Sequence, residues 1–488
     1  MHFIDGEFVP SLDKRTFEAI NPATNRVITS VSEGGPKEID LAVKSALGAF
    51  SGRWRNITTQ ERSNLLLIVA EGIEKRIEEF ARVETLDTGI PIKQTRGQMK
   101  RAAENFRFFA SAALQMRDAA FPVGNSFFNY SERKPVGVAG LITPWNTPMM
   151  LETWKIAPCL AAGNTCVLKP AEWSPLSANL LAKLFQDSGF PKGVFNVVNG
   201  LGETAGASLV AHPGVRLISF TGETTTGKEI MRNGAPTLKR FSMELGGKSP
   251  AIIFADGDLE RSLDAIIFGV YSLNGERCTA NSRLLLEESI YEKFISALKE
   301  RILQIRVGDP FDERTELGPL IHPEHWKRVA DYIEIGKKEG ATVAVGGERP
   351  EKLKDGNYLE ATLLTKVKNS MRVAQEEIFG PVLVAMPFKE EKQALEIAND
   401  VKYGLASYVW TKDLEKAHRV ASKIEAGLVW INSQNVRDLR TPFGGSKESG
   451  IGREGGEYSF DFYTEQKTVH VALGNHPIPK MGTESSVI

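Results

Sequence analysis

The sequence predicts an α/β protein of two doubly wound α/β domains with a β-strand arm outside them. Three observations carry this. Apolar runs at 136–142, 165–168, 194–198, 216–220 and 238–243 are separated by helical patterns of about 10 to 15 residues, the rhythm of a parallel sheet with helices on both faces. A second series of the same kind follows Gly246, with strands expected near 251–254, 283–286, 382–387, 407–410 and 428–431. Finally, 488 residues exceed one ordinary core, and at about 150 residues per domain the chain holds two or three. Ligands of such sheets bind beyond the carboxyl ends of the strands, so the layout is that of a nucleotide-binding protein.

The elements follow in chain order. Residues 3–31 read as short strands punctuated by Asp5-Gly6 and Asn21-Pro22, an edge or an arm. Pro36 sits where a first helical turn tolerates it, and Ile39, Val43, Ala46, Leu47 and Phe50 recur at helical spacing. Thr58 with Glu61 has the form of a capping box before a helix at 65–80, which Gly89 and Pro91 end. A third helix carries Ala102, Phe106, Phe109 and Leu114. Residues 127–135 look like an exposed strand pair whose edge needs a partner, and the last strand, 461–472, is similar. Both point to a subunit contact in a homodimer or homotetramer. The loop 432–456, rich in Gly, Ser and Arg, is too long for a mere connection and is expected to be functional.

Bulk chemistry narrows the partners. With 60 basic and 61 acidic residues and no run of like charges, the chain has no electrostatic footprint for nucleic acid or an anionic membrane. The longest apolar runs, such as 65–70, fall short of the ~20 residues that span a bilayer. The first residues show no basic start followed by an apolar stretch, and 485–488 match no lipidation or retention signal, so a cytoplasmic protein is expected. Three cysteines make no disulfide framework and fit a reducing compartment. Small molecules and further subunits remain as partners.

The segment Asn274-Gly275-Glu276-Arg277-Cys278-Thr279-Ala280-Asn281-Ser282-Arg283 is polar and interrupts two apolar stretches. A cysteine between arginine and threonine, just after a glycine turn, faces a cleft more readily than one among leucines and alanines, which makes Cys278 the candidate nucleophile. Cys159 and Cys166 lie in apolar runs and are expected to be buried and inert. Glu244 ends an apolar strand with two glycines behind it; a base in a partly dry cleft and a surface glutamate are equally good readings. Asn146, in a loop stiffened by Pro144 and Pro148, is either a fixed oxyanion donor or a turn residue. Lys169 and Glu172 either bind the hydroxyls of an adenosine ribose or occupy a solvated loop. Residues 222–229 nearly match the phosphate loop of nucleotide hydrolases but end on Glu229 where that loop needs a hydroxyl for magnesium, so a pyrophosphate resting on this helix N-terminus without metal is preferred and a phosphate-loop nucleotidase stays as the alternative. His322 and His325 are spaced like a metal pair, but without other ligands around them a solvated helix start is expected and no metal is implied.

Together, Pro144-Trp145-Asn146, Val167-Leu168-Lys169-Pro170-Ala171-Glu172, Phe220-Thr221-Gly222, Glu244-Leu245-Gly246-Gly247-Lys248, Cys278, Glu376-Glu377-Ile378-Phe379-Gly380-Pro381 and Pro442-Phe443-Gly444-Gly445 occur in the order seen in aldehyde dehydrogenases, a family the chain resembles over nearly its whole length. The 34 positions from Glu244 to Cys278 are similar to that family's spacing of base and nucleophile. The resemblance implies that the Cys278 thiolate attacks an aldehyde while the Asn146 amide and the Cys278 main-chain N–H hold the oxyanion. Hydride then leaves to a nicotinamide, and Glu244 deprotonates the water that hydrolyses the thioester.

It implies NAD as cofactor, with Lys169 and Glu172 on the adenosine ribose, the glutamate disfavouring NADP because a 2′-phosphate would meet its charge. Ile142, Thr143, Pro144, Trp145, Gly202, Gly206, Phe220, Thr221, Gly222, Glu223 and Leu245 would surround the dinucleotide. Glu377 and Phe379 would position the nicotinamide ribose and ring, and Glu454 is a candidate for proton relay. Residues 1–116 and 136–246 would then be the NAD-binding domain and 247–458 the catalytic domain, with 117–135 and 459–488 the oligomerisation arm and C-terminal tail. Two positions depart from the family pattern: Glu223 replaces a common serine, and Glu276 a common glutamine.

The wording of 141–148, 274–278, 432–440 and 476–479 looks most like the 5-carboxymethyl-2-hydroxymuconate semialdehyde dehydrogenases of aromatic catabolism. Arg277, Arg437 and Arg440 could pair with the carboxylates of a dianionic aldehyde, with Trp154 a further substrate contact, or could instead make salt bridges between domains or subunits. An aldehyde dehydrogenase of broader specificity is the alternative. Acylation of coenzyme A would leave Glu244 without a task, and a scaffold without catalysis would leave Asn146, Glu244 and Cys278 unexplained.

Overall fold

The computed structural model describes residues 1–482; the reading of 485–488 lies outside them. Eight strands form the first sheet, in spatial order Glu7–Val9, His2–Ile4, Phe195–Val197, Thr165–Lys169, Val138–Ile142, Val215–Thr221, Arg240–Glu244 and Gly450–Ile451. The central five are parallel. Strand order reverses between Val138–Ile142 and Val215–Thr221, the switch point beyond which doubly wound sheets bind nucleotides. The first two strands are not an arm: they extend this sheet antiparallel, Phe3 opposite Val197. Only Thr16–Asn21 and Arg26–Ser32 form a hairpin of their own.

Helices cover both faces. Pro36 opens the helix Pro36–Ser51, which buries Ile39, Ala42, Val43 and Ala46. The capping box is present: Thr58 Oγ1 accepts from the Glu61 N–H at 3.2 Å, and Glu61 accepts from the Thr58 N–H at 2.8 Å. The single helix expected at 65–80 is instead two, Thr59–Lys75 and Ile77–Thr88, because Arg76 (φ −119°) leaves the helical region and turns the chain. Gly89 (φ 74°) closes the second by donating to the Thr85 carbonyl, as a left-handed cap should. The third helix is Ile92–Ala113.

The second sheet orders Thr342–Val345, Thr362–Thr365, Val382–Phe388, Arg283–Glu287, Pro250–Ile253, Ala406–Trp410 and Leu428–Ile431, parallel except for the first. The two strands at 342–345 and 362–365 are additions to the sequence reading; each is four residues long, and their ladder carries a bulge. Each sheet buries an apolar layer on either face. A third, three-stranded sheet stands apart: Thr464–Ala472, Phe127–Pro135 and Ala120–Val123. Here 127–135 is one strand, not a pair, and residues 461–463 belong to the helix Gly456–Tyr463. Phe121, Val123, Phe128 and Val471 are exposed on this arm. Among the described residues no helix is long and apolar enough to cross a membrane.

The long loop 432–456 positions the site. It leaves the last strand of the second sheet and returns to the first, where Gly450–Ile451 pairs antiparallel with Arg240–Glu244 and Gly450 lies opposite Glu244.

Candidate active site

Between the two sheets, at the carboxyl ends of the first sheet's strands, lies a cavity of about 340 Å³. Its walls include Pro144, Trp145, Asn146, Thr221, Gly222, Glu223, Glu244, Leu245, Cys278, Glu377 and Phe379, so residues up to 235 positions apart in the sequence converge on one cleft. A larger groove of about 1050 Å³ under the N-terminal strands holds none of these groups.

Backbone strain and a web of hydrogen bonds present Cys278. Leu273, Asn274 and Gly275 are all left-handed (φ 53°, 58° and 74°), a run that costs about 1–3 kcal/mol at each non-glycine position and persists only where the surroundings fix it. Asn274 supplies that fixation: its amide donates to the Gly89 and Pro319 carbonyls at 3.2 and 2.9 Å, and its Oδ1 accepts from the Gly318 N–H at 2.7 Å. A side chain on Gly275 would run into the Gly380 and Pro381 backbone. Cys278 emerges part-exposed, while Cys159 and Cys166 are buried. Its thiol is pushed up to about 12 by burial and by the carboxyl groups of Glu377 and Glu244, against the pull of Arg277 and Arg437. The resting thiol is therefore neutral and needs a base or a positive charge to become a nucleophile.

Asn146, in the loop before the helix Pro148–Ala161, donates one amide hydrogen to the Glu276 carbonyl at 2.7 Å. That bond fixes the plane of the amide and leaves its second hydrogen for the cleft. Glu244 is buried, and neither carboxyl oxygen has a partner among the described residues. Burial first, then the charge of Glu454, holds its carboxyl well above the usual range, with Lys155 opposing. Behind it Lys155 donates to Glu454 Oε1 and to Ser219 Oγ, both at 2.8 Å, in a fully enclosed network. Gly444 presses on this carboxyl: a Cβ there would stand 2.8 Å from Glu244 Oε1.

Lys169 and Glu172 form an ion pair of 2.7 Å at the end of the second parallel strand, and the lysine overcomes the burial of Glu172 to hold its carboxyl low. Gly202–Gly206 makes one helical turn beside them. Ile142 and Thr143 end the first strand; the Thr143 and Thr221 hydroxyls, at the switch point, are buried without partners. Phe220 packs under Gly222, where a Cβ would collide with its ring. Glu223 is the exposed N-cap of the helix Thr224–Gly234, and Leu245 lies against Gly227. Because that helix already begins at Thr224, residues 225–229 are helical and form no wrapped phosphate loop, which removes the nucleotidase reading. Glu377 accepts from the Gly247 N–H at 2.8 Å, and burial raises it to about 7. Phe379 is left-handed (φ 61°), with its ring edge-on to Trp145 at 5.3 Å.

The three arginines of the sequence reading separate in the structure. Arg277 is buried and Arg437 half-buried near Cys278, and both keep enclosed nitrogens without a partner among the described residues: Nη1 of the first, Nε and Nη2 of the second. Arg437 lies 3.9 Å over the Trp154 ring, so Trp154, itself buried, forms the bed of that guanidinium. Arg440 does not join them. It is exposed and closed on Asp438 at 2.6 Å, because a carboxylate two residues away captures it before it can reach the cleft. Sequence reasoning missed Arg101, on the helix Ile92–Ala113, whose charge bears on both Arg277 and Arg437. It also misjudged His325 as solvated. His325 is buried, donates from Nε2 to the Phe379 carbonyl at 2.7 Å, and burial pushes it down to about 3. His322 is the N-cap of the helix Pro323–Glu339, its Nδ1 accepting from the His325 N–H at 3.1 Å.

Fold and site together define an α/β enzyme whose accessible thiol faces a nucleotide-sized cleft. The aldehyde dehydrogenase family model matches residues 8–469. The chain is 50% identical to the 5-carboxymethyl-2-hydroxymuconate semialdehyde dehydrogenase of Escherichia coli over 464 residues, 94% of this chain and 98% of that protein. Among solved structures it is similar to HpcC from Thermus thermophilus, at 56% identity and a TM-score of 0.97 over 99% of this chain and 95% of that one. It is also similar to the NAD+ complex of an aldehyde dehydrogenase from Bacillus cereus, at 44% identity and a TM-score of 0.95, covering 97% and 96% of the two chains. The chain belongs to the aldehyde dehydrogenase family and is an enzyme that oxidises aldehydes.

Proposed function

We propose that this enzyme oxidises a carboxylate-bearing semialdehyde, of the 5-carboxymethyl-2-hydroxymuconate semialdehyde type, to the carboxylic acid with NAD as acceptor. The observation that carries the substrate class is the pair of guanidinium groups, Arg277 and Arg437, whose enclosed nitrogens are left unpaired beside Cys278, with Arg101 adding to the same field. An uncompensated buried cation costs several kcal/mol, so a site that encloses guanidinium nitrogens of a buried Arg277 and a half-buried Arg437 suits an anion that arrives with the substrate. A guanidinium fork binds a carboxylate through two parallel hydrogen bonds, which also fixes the direction of the aldehyde carbon. The E. coli relative of that name supports the same class.

In the reaction the Cys278 thiol gives its proton to solvent or to ionised Glu244, the thiolate Sγ attacks the aldehyde carbon, and the free Asn146 amide hydrogen with the Cys278 N–H receives the oxyanion. NAD, when bound, supplies the two-electron acceptor. The thioester left on Cys278 is hydrolysed by a water that Glu244 deprotonates, and the Lys155–Glu454 pair behind it takes part of the charge change. Lys169 and Glu172 fit an adenosine ribose, Thr143 and Thr221 bring unpartnered hydroxyls to the switch point, and Glu377 with Phe379 lies at the nicotinamide end. The NAD complex of the Bacillus cereus relative supports that cofactor. We also propose a cytoplasmic homodimer or homotetramer joined through the arm at 117–135 and 459–482. Its subunit would divide into an NAD-binding domain (1–116 and 136–246) and a catalytic domain (247–458).

A panel of aldehydes tests the substrate class. The proposal expects kcat/KM for carboxylate-bearing semialdehydes to exceed that for neutral aliphatic aldehydes of similar size by about 10²-fold or more, from ~3 kcal/mol of charge pairing. Equal efficiency on both kinds would sink it.

A further inference from the structure

We propose that Glu276 is a positioning residue that works as an uncharged carboxylic acid: its main-chain carbonyl holds the oxyanion-donating amide of Asn146, and its side chain holds the Ile321–His325–Phe379 wall of the cofactor cleft. The inference rests on the reading of Cys278 and Asn146 given above and adds a residue that touches neither substrate nor cofactor.

The geometry is that of a junction. The Glu276 carbonyl accepts from Asn146 Nδ2 at 2.7 Å, and Glu276 Oε1 accepts from the Ile321 N–H at 3.0 Å. Oε1 also stands 3.6 Å from His325 Nε2, beyond hydrogen-bond reach, while that same nitrogen donates to the Phe379 carbonyl at 2.7 Å. That N–H is committed to Phe379, and the Glu276 carboxyl oxygen is the next acceptor, just out of reach. A neutral acid leaves it to Phe379, whereas a carboxylate would compete for it and draw His325 away. Phe379 cannot spare that bond. It is a non-glycine residue at φ 61°, held only by its surroundings, and its ring meets Trp145 across the nicotinamide end of the cleft.

The charges around Glu276 do not favour an ionised form. The elements packed against it bring His322, Glu324, His325 and Arg328 from the helix at 323–339 and its cap, Glu376 and Glu377 from the following strand connection, and Arg277 and Cys278 from its own loop. Among the described basic residues His325 alone comes within 4 Å of its carboxyl. Burial holds the Glu276 carboxyl well above the usual carboxylate range, and the Ile321 N–H only partly offsets this. A protonated glutamic acid has the shape of glutamine, one oxygen accepting and one group donating, so the chain places a titratable group where a fixed amide would serve.

Glu276→Gln and Glu276→Ala, with native enzyme and Cys278→Ala, are compared in semialdehyde turnover and NAD dependence from about pH 6 to about pH 10, all above the usual carboxylate range. A thermal midpoint monitors folding of each variant. Glu276→Gln is expected to keep turnover that Glu276→Ala loses, the alanine raising the KM for NAD about tenfold. At the acid end kcat/KM for Glu276→Gln should lie within about twofold of native, and the ratio of the two should not fall as pH rises, because ionisation handicaps the native enzyme and not the glutamine. A ratio that falls as pH rises, or a glutamine variant as impaired as the alanine one, overturns the proposal; either would mean that the ionised form is the working one. Turnover surviving in Cys278→Ala would instead overturn the reading of the site itself, so the two failures are told apart.

Discussion

Glu244, the base we propose, is one that the fold keeps protonated. Its carboxyl is raised by burial and by Glu454, so it binds its proton through the pH range in which an exposed glutamate is ionised. Thioester hydrolysis should therefore accelerate as pH rises and Glu244 empties. Replacing it with Gln should lower kcat by about 10² to 10⁴-fold, flatten that rise and leave a stoichiometric burst of NADH, seen by rapid mixing. A burst-free variant with native pH dependence would contradict the assignment. Cys278 stood out as a cysteine in a polar turn, while Glu244 and Asn146 each admitted an ordinary local reading as well; only in the order of motifs shared with the aldehyde dehydrogenases were the three legible together. Arg101 was not. It lies in the middle of an ordinary amphipathic helix 177 positions before Cys278, and nothing near it in sequence says that its charge bears on Arg277. Arg440 misled for the opposite reason: a basic residue in a functional loop, neutralised by a neighbour whose reach depends on the turn between them. His325 was misread because the burial of a helix's first turn depends on what packs over it.

At the level of elements, the alternating runs placed all five parallel strands of the first sheet and five of the second, since a strand buried on both faces writes itself as a continuous apolar run. The strand Thr342–Val345 escaped because it is an edge with a part-exposed face, and the break at Arg76 because no glycine or proline marks it. The turn that carries the nucleophile depends on Gly275 for two reasons, its φ of 74° and the backbone against which a side chain would press. Gly275→Ala should cost about 1–3 kcal/mol and shift Cys278 in the cleft. Urea unfolding would read the first effect and kcat the second; a variant equal to native in both would show that the turn tolerates a Cβ. The arm is an element with an unpartnered face. Phe128 and Val471 are cross-strand neighbours, 41% and 38% exposed. Phe128→Glu should weaken subunit association and lower the sedimenting mass; unchanged mass would place the interface elsewhere.

Across the whole molecule, buried carboxyl groups set a pH dependence of stability. Glu84 is fully buried, and burial raises it to about 8 against only one main-chain donor, Met149. Between 4.5, where the unfolded chain would release this proton, and about 8, the folded state binds more protons than the unfolded one. Its contribution is then complete below that window and is lost as pH rises through it. Glu84→Gln should flatten this part of the fall in thermal midpoint between mildly acid and mildly alkaline buffer, and an unaltered slope would assign the dependence to other groups. A last consequence belongs to the returning strand Gly450–Ile451. The main chain crosses between the two sheets after Glu244 and crosses back at 432–450, and Ser449 ties the crossings together, donating to the Gly246 carbonyl at 2.6 Å and accepting from the Gly404 N–H at 2.9 Å. This is a closed circuit of covalent chain and hydrogen bonds around one end of the cleft, and a structure laced in that way does not open like a book. Parting the two sheets at that end would break both Ser449 hydrogen bonds, so this serine works as a clasp on one end of the cleft.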